Sequence, residues 1–270
     1  MANSKTLVCV HAHPDDEAIF TAGITSHYAA QAYDVVLVTC TNGRLGIDDR
    51  NRPGNDPEHD DGATISTRAS ELQRSATLVG FSRIVTLGFD DSGMIGWPQN
   101  MNPRAFMNID VDSVARSLGA LLDEVHATVV VTYDENGFYG HPDHIMANVV
   151  TRRALEFARS PERLYYPVVS RSAIKSFVPQ AQARGIYLPA FVLEADVGVT
   201  DEFVATTMDV TEYVGTKQAA LRTHASQSDN ADLSTMDSET FAMMFGTEWF
   251  QRAWSRHDAT NDATDLFGGL

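Results

Sequence analysis

The sequence predicts an α/β fold, a mostly parallel sheet flanked by helices with its functional edge at the carboxyl ends of the strands. Three observations carry this prediction. Short apolar, β-branched runs recur at residues 8–10, 35–41, 84–89 and 128–133, and unbroken apolar runs suit strands buried on both faces. Stretches of helical length and pattern separate them, and that alternation implies right-handed βαβ units. The first and last of these runs lead into the same tripeptide, His13-Pro14-Asp15 and His141-Pro142-Asp143. Ligands of open α/β sheets bind at such strand ends.

Taken in order, the first run breaks at Pro14 and passes into a predicted helix at residues 18–32. Proline fits a first helical turn, where its missing N–H is no loss. The second run ends at Asn42-Gly43-Arg44, and a loop rich in Asp, Gly, Pro and Asn reaches to about Ala63. A loop of that length reads as a lid over the site or as a solvated surface excursion. Residues 66–79 form a helix with Leu72, Ala76 and Val79 on one face and Gly80 as its stop. The third run ends in Asp90-Asp91-Ser92-Gly93-Met94; residues 95–109 read as irregular and 111–125 as a helix leading to the fourth strand. A helix follows at 145–158, then strands at 164–170 and 203–210, helices at 212–225 and 238–256, and a frayed tail at 261–270. The expected organisation is a metal-binding core over 1–160, a part completing the pocket over 161–260, and the tail.

The 270 residues carry a formal net charge of −16, which argues against binding nucleic-acid phosphates or anionic membranes. Cys9 and Cys40 lie inside strand-like runs and read as buried free thiols. No apolar run approaches a membrane span and no signal peptide is seen, so the expectation is a cytoplasmic protein with no membrane insertion.

The chemistry centres on the two motifs. His13 and Asp16 lie three apart, a spacing that lets them face one point, and His144 approaches it from a neighbouring strand end. Two imidazoles and a carboxylate are the ligand number of a catalytic zinc site with one open position. The same donor set accepts Fe2+; one ion per chain is expected. Asp15 is the candidate general base, kept ionised by the helix N-terminus. His141, charged or donating, is placed to stabilise an oxyanion. These parts describe metal-assisted hydrolysis of an amide or ester. His11 reads equally as a participant, a supporting partner or a packed core residue, and Asp143 as a group orienting a ligand histidine. His27, His126 and His257 fall in helical patterns and are assigned no role.

The two motifs, Ala12-His13-Pro14-Asp15-Asp16-Glu17 and Gly140-His141-Pro142-Asp143-His144, resemble those of the LmbE-like, or PIG-L-like, zinc-dependent N-acetylglucosaminyl deacetylases. Residues 132–144, Asp91-Ser92-Gly93-Met94, Arg68 with Glu71-Leu72, and residues 221–227 are similar to its mycothiol branch, so the resemblance runs to about residue 250. It implies a Rossmann-like fold, zinc on His13, Asp16 and His144, Asp15 as base, and His141 with Tyr139 polarising the acyl oxygen. It further implies substrate binding by Arg68 and Asp91, which would hold sugar or polyol hydroxyls, with His224 and Gln227 on the pocket wall. The chain departs from the branch in two places. The lysine that S-conjugate amidases carry after the first motif is missing from residues 18–21, and bulky Phe20 stands where the inositol-sugar deacetylase has a small residue. The expected substrate is therefore a small-molecule N-acyl amino sugar rather than one named metabolite. A mycothiol S-conjugate-type amidase and a natural-product tailoring deacetylase are the alternatives within the family. Outside it stands a non-catalytic sugar-binding metalloprotein, while a two-metal phosphoesterase lacks the extra carboxylates. A homo-oligomer is compatible with the sequence.

Overall fold

A computed structural model describes residues 5–185, 198–228, 231–257 and 262–270. Five strands, β1 (Thr6–His11), β2 (Asp34–Thr41), β3 (Arg83–Phe89), β4 (Ala127–Val131) and β5 (Arg163–Val168), are mutually parallel. β6 (Thr206–Asp209) and β7 (Thr247–Ser255) complete one seven-stranded sheet in the order β3-β2-β1-β4-β5-β7-β6, with β7 antiparallel to both neighbours. The helices are α1 (Ala22–Ala30), α2 (Asp61–Val79), α3 (Val111–Glu124), the single turn α4 (Gly137–Gly140) and α5 (Pro142–Leu155). They continue with α6 (Arg171–Ala183), α7 (Val214–Thr223), α8 (Ala231–Thr235) and α9 (Ser238–Phe245).

The unbroken apolar runs follow from burial on both faces of the sheet. Val8, Val10, Val36, Val38 and Val130 turn toward α3 and α5, while Leu7, Cys9, Val35, Leu37 and Val129 turn toward α1 and α2. The strand order reverses between β1 and β4, so both His-Pro-Asp motifs emerge side by side at the topological switch point. Cys9 and Cys40 are buried free thiols. No helix among the described residues is long and apolar enough to cross a membrane.

Several expectations need correction. The first motif does not open an α-helix at Pro14: residues 17–21 form a π-helical turn and α1 starts only at Ala22. Helix α2 begins earlier than expected, because Asp60 caps it by accepting the Ala63 N–H at 3.0 Å. The loop before α2 is anchored. Asp48 accepts the backbone N–H groups of Arg50 and Arg52, both at 2.9 Å, and Gln227 Oε1 accepts the Ile47 N–H at 3.0 Å.

Residues 238–256 are not one helix: α9 ends at Gly246 and β7 follows. The aromatic Trp249, Phe250 and Trp254 are drawn into the sheet by pairing with β5 and β6. Helix α6 lies in a stretch to which the sequence assigned no element; Ser170 caps it and Pro179 interrupts it. Asn261 lies outside the described residues, but the rest of the tail is docked rather than frayed. Leu266 and Phe267 are buried among Tyr28, Val35 and Leu37. The Leu266 N–H donates to the Tyr28 hydroxyl and its carbonyl accepts from Arg163, both at 2.9 Å.

Candidate active site and metal centre

The ends of β1 and β4 bring His13, Asp16 and His144 together. His13 Nδ1 lies 3.3 Å from His144 Nε2 and 3.4 Å from Asp16 Oδ2, and His144 Nε2 lies 3.5 Å from Asp16 Oδ1. Four donors around a tetrahedral ion with bonds of 2.0–2.1 Å stand about 3.3–3.4 Å apart; His13 Nδ1 and His144 Nε2 have that spacing, and Asp16 turns one carboxylate oxygen toward each of them. The surroundings fix which atoms face inward. His13 Nε2 donates to Asp143 Oδ2 at 3.1 Å, which leaves the Nδ1 lone pair toward the centre. Asp143 in turn accepts from the Ser92 backbone N–H at 2.9 Å and from the Ser92 hydroxyl. Asp16 Oδ2 accepts the Tyr133 hydroxyl at 2.6 Å and the His13 N–H at 2.7 Å, leaving Oδ1 as the oxygen facing His144.

Other donor groups adjoin this one. His13, His141 and His144 bring ring nitrogens within 4.8 Å of one another, and so do His13, Asp91, His141 and Asp143 for their ligand atoms. The second set is already occupied by the hydrogen bonds of Asp143 to His13 and Ser92. The first includes His141, whose Nδ1 accepts the Asp143 N–H at 3.1 Å, so its Nε2 is the nitrogen left to face the centre.

The electrostatics ask for a cation. Burial opposes charge on His13, yet Asp91, Asp143 and Asp16 outweigh it and raise His13 well above the usual imidazole range. A buried point that draws a proton this strongly is one where a metal ion competes for the same lone pair. His144 is held down to about 4, mainly by burial. A metal ligand must be a neutral imidazole, which suits His144.

Asp15 is not on a regular helical turn: its φ is +107°. Burial, reinforced by Asp16, raises its carboxyl to about 6 against the pull of Arg68. Burial outweighs the bias toward the ionised form expected of a helix N-terminus, yet Asp15 remains largely ionised at neutral pH. Burial lowers His141 to about 3, so the charged alternative is removed. Its Nδ1 accepts a hydrogen bond, which places the proton of the neutral ring on Nε2. Tyr139 is largely exposed, its ring 4.9 Å from that of His144 and 6.1 Å from that of His141. The preceding Phe138 has φ +65°.

The remaining expected site residues spread around this centre. Asp91 lies 3.7 Å from His13 Nε2 and accepts the Gly93 N–H at 2.8 Å. Arg68 is buried, donates to the Gly43 and Pro14 carbonyls, and sits 3.2 Å from Asp15 Oδ2. His224 is buried against Glu17 at 2.7 Å, and Gln227 is turned to the loop at Ile47, so the polar groups of neither reach the triad. Sequence reasoning gave no role to Tyr133, Ser92 or Ser75. Tyr133 closes the apolar run at 128–133, the one signal that could have marked it. His11 resolves as a supporting group: neutral by burial, it pairs with Thr21 at 2.8 Å and with the Tyr133 hydroxyl at 3.2 Å.

The family model described as PIG-L, GlcNAc-PI de-N-acetylase, matches residues 8–155, which span both motifs. The chain is 37% identical over 240 residues to the 1D-myo-inositol 2-acetamido-2-deoxy-alpha-D-glucopyranoside deacetylase of Thermobifida fusca, covering 83% of this chain and 84% of the relative. It is 36% identical to the enzyme of the same name from Acidothermus cellulolyticus, with 98% and 95% covered. Two solved structures share the fold at low identity. The N,N'-diacetylchitobiose deacetylase of Pyrococcus horikoshii matches with a TM-score of 0.60 at 19% identity, covering 93% of this chain and 84% of that one. The 4-carboxy-2-hydroxymuconate hydratase of Pseudomonas putida matches with a TM-score of 0.63 at 14% identity, covering 95% and 99%. The family model, which matches more than half of the chain, and the extended identity to curated relatives make this chain a member of the PIG-L family.

Proposed function

We propose that the protein is a metal-dependent hydrolase that removes the acyl group from an N-acyl amino sugar of the 2-acetamido-2-deoxyglucoside type. The observation that carries this reading is the convergence of His13 Nδ1, Asp16 and His144 Nε2 at 3.3–3.5 Å, with Asp15 adjacent in the chain. His13, Asp16 and His144 would hold a zinc ion. When bound, it supplies Lewis acidity, which acidifies water and polarises the acyl oxygen.

The chain's own groups do the rest. Asp15, titrating near 6, takes a proton from the attacking water at neutral pH and returns it to the departing amine. The His141 Nε2–H donates to the acyl oxygen as negative charge grows on it, and the Tyr139 hydroxyl, beside the His141 and His144 rings, offers a second donor. Asp143 and Ser92 keep His13 in the required tautomer, and Tyr133 keeps Asp16 oriented. The relatives named for the inositol glycoside support an amino-sugar substrate. Phe20, packed 5.0 Å from Phe138 and 6.0 Å from the His144 ring, borders the same edge and is where substrate preference would differ.

The test is acetate release from a panel of N-acetylglucosamine, its inositol glycoside and a thiol conjugate, before and after metal stripping. Release that survives complete stripping, or no release from any member after zinc is restored, removes the proposal. Zinc added to stripped protein should also raise the melting temperature, and His144→Ala should abolish that rise.

A further inference from the structure

We propose that Glu17 is the positioning residue for Asp15, acting through a buried clamp that includes Ser75 and His224. This inference rests on the hydrolase reading for its kinetic consequences but not for its structural one.

Asp15 holds a φ of +107°, a backbone region in which side chains other than glycine are strained. Such a conformation persists only when the surroundings impose it. The contact that does so comes from two residues downstream: Glu17 Oε2 accepts the Asp15 backbone N–H at 2.9 Å. That carboxylate is fully buried, and its second oxygen is gripped from two other elements. Ser75 of α2 donates to Oε1 at 2.5 Å, and His224, at the end of α7, reaches the same atom at 2.7 Å. Downstream, the Ala18 and Ile19 N–H groups donate to the Asp15 carbonyl at 3.0 and 3.2 Å, so the peptide is pinned on both sides.

Three donors converge on the two oxygens of Glu17, and an ionised carboxylate satisfies them because it only accepts. An amide of the same shape must turn an NH2 group toward one of them. Glutamine at 17 therefore keeps the volume but removes the charge-assisted contact with His224 and weakens the clamp. The clamp is also built from groups outside the metal triad, so its loss need not disturb the ion. Its target is the backbone of Asp15, whose carboxylate is set against Arg68 at 3.2 Å.

The experiment is a double-mutant cycle with a structural readout. Glu17→Gln is expected to lower kcat at least tenfold while KM and zinc per chain stay within twofold of wild type. In an Asp15→Asn background the same substitution should change kcat less than twofold, since the group it positions is already gone. A crystal structure of metal-free Glu17→Gln should show Asp15 leaving positive φ. Should Glu17→Gln fail to fold, Ser75→Ala removes one donor only and should give a several-fold loss in kcat that is likewise absent from the Asp15→Asn background. Equal losses in both backgrounds, wild-type kcat in Glu17→Gln, or an Asp15 φ unchanged near +107° would each overturn the assignment. A wild-type protein that hydrolyses no member of the sugar panel sinks the hydrolase reading instead, and the φ measurement still decides this one.

Discussion

Replacing Asp15 by glycine should give a more stable protein than replacing it by alanine. Both variants delete the carboxylate and its 3.2 Å contact with Arg68, so electrostatic terms cancel in the comparison. What differs is the β-carbon at a φ of +107°. A residue held in a sparsely populated backbone region costs about 1–3 kcal/mol, which glycine does not incur. Glycine also loosens the unfolded chain, offsetting about 0.4–1 kcal/mol of that gain. The net is about 1 kcal/mol in favour of Asp15→Gly, or about 2–3 °C in Tm for a chain of this size. The assay is urea or thermal unfolding of both variants stripped of metal, so that ion binding does not enter the comparison. If Asp15→Ala is as stable as Asp15→Gly or more so, the strain at this position is absent and the account of a held base loses its ground.

Other substitutions test neighbouring parts of the argument. Arg68 opposes the burial that raises Asp15 to about 6, so Arg68→Gln removes a stabiliser of the ionised form and Asp15 titrates higher. The base works when ionised, so the acidic limb of kcat/KM should move up by about one pH unit; an unmoved limb detaches Arg68 from the base. Tyr133→Phe deletes the 2.6 Å hydrogen bond to Asp16 and should weaken zinc affinity about 10–100-fold by competition with a chelator; it also leaves the buried Ala12 N–H without its 2.9 Å acceptor, so Tm should fall as well. Phe267→Ala should destabilise by about 3 kcal/mol in urea, because this ring is buried against Tyr28 and Tyr33 with centroids 4.9 Å away from each; a loss under about 0.5 kcal/mol, within the usual range for surface substitutions, would mean the tail does not dock.

The parts of the fold that were legible in the sequence are those where local pattern and tertiary environment agree. Strands β1, β2 and β4 read as continuous apolar runs because both faces are covered, and the repeated His-Pro-Asp tripeptide marked the strand ends that meet at the switch point. Strand β7 reads as a helix in the sequence because Phe241, Phe245 and Trp249 recur every four residues, a spacing both periods tolerate; only Gly246, at the end of α9, marks the change. The tail was misread because Leu266 and Phe267 stand in a stretch of aspartate and glycine, and their burial depends on Tyr28 and Arg163 far away in the chain. At the site, donor identities were readable from spacing, but the positive φ of Asp15 was not. Nothing in Asp15-Asp16-Glu17 distinguishes a capped helix start from a clamped turn until α2 and α7 bring Ser75 and His224 to Glu17.

The order in which strands join the sheet has a consequence for how the polypeptide is made. Strand β6 precedes β7 in the chain but sits outside it, and its described ladder is with β7. During synthesis, the segment carrying β6 emerges before its partner exists, and the rim of β5 that β7 will cover stays open over the same interval. Uncovered strand rims template wrong pairings between chains. The vulnerable window closes only after β7 has cleared the ribosome, so slow translation across α7 to α9 would lengthen exposure, and a stop placed before Thr247 would leave it permanent.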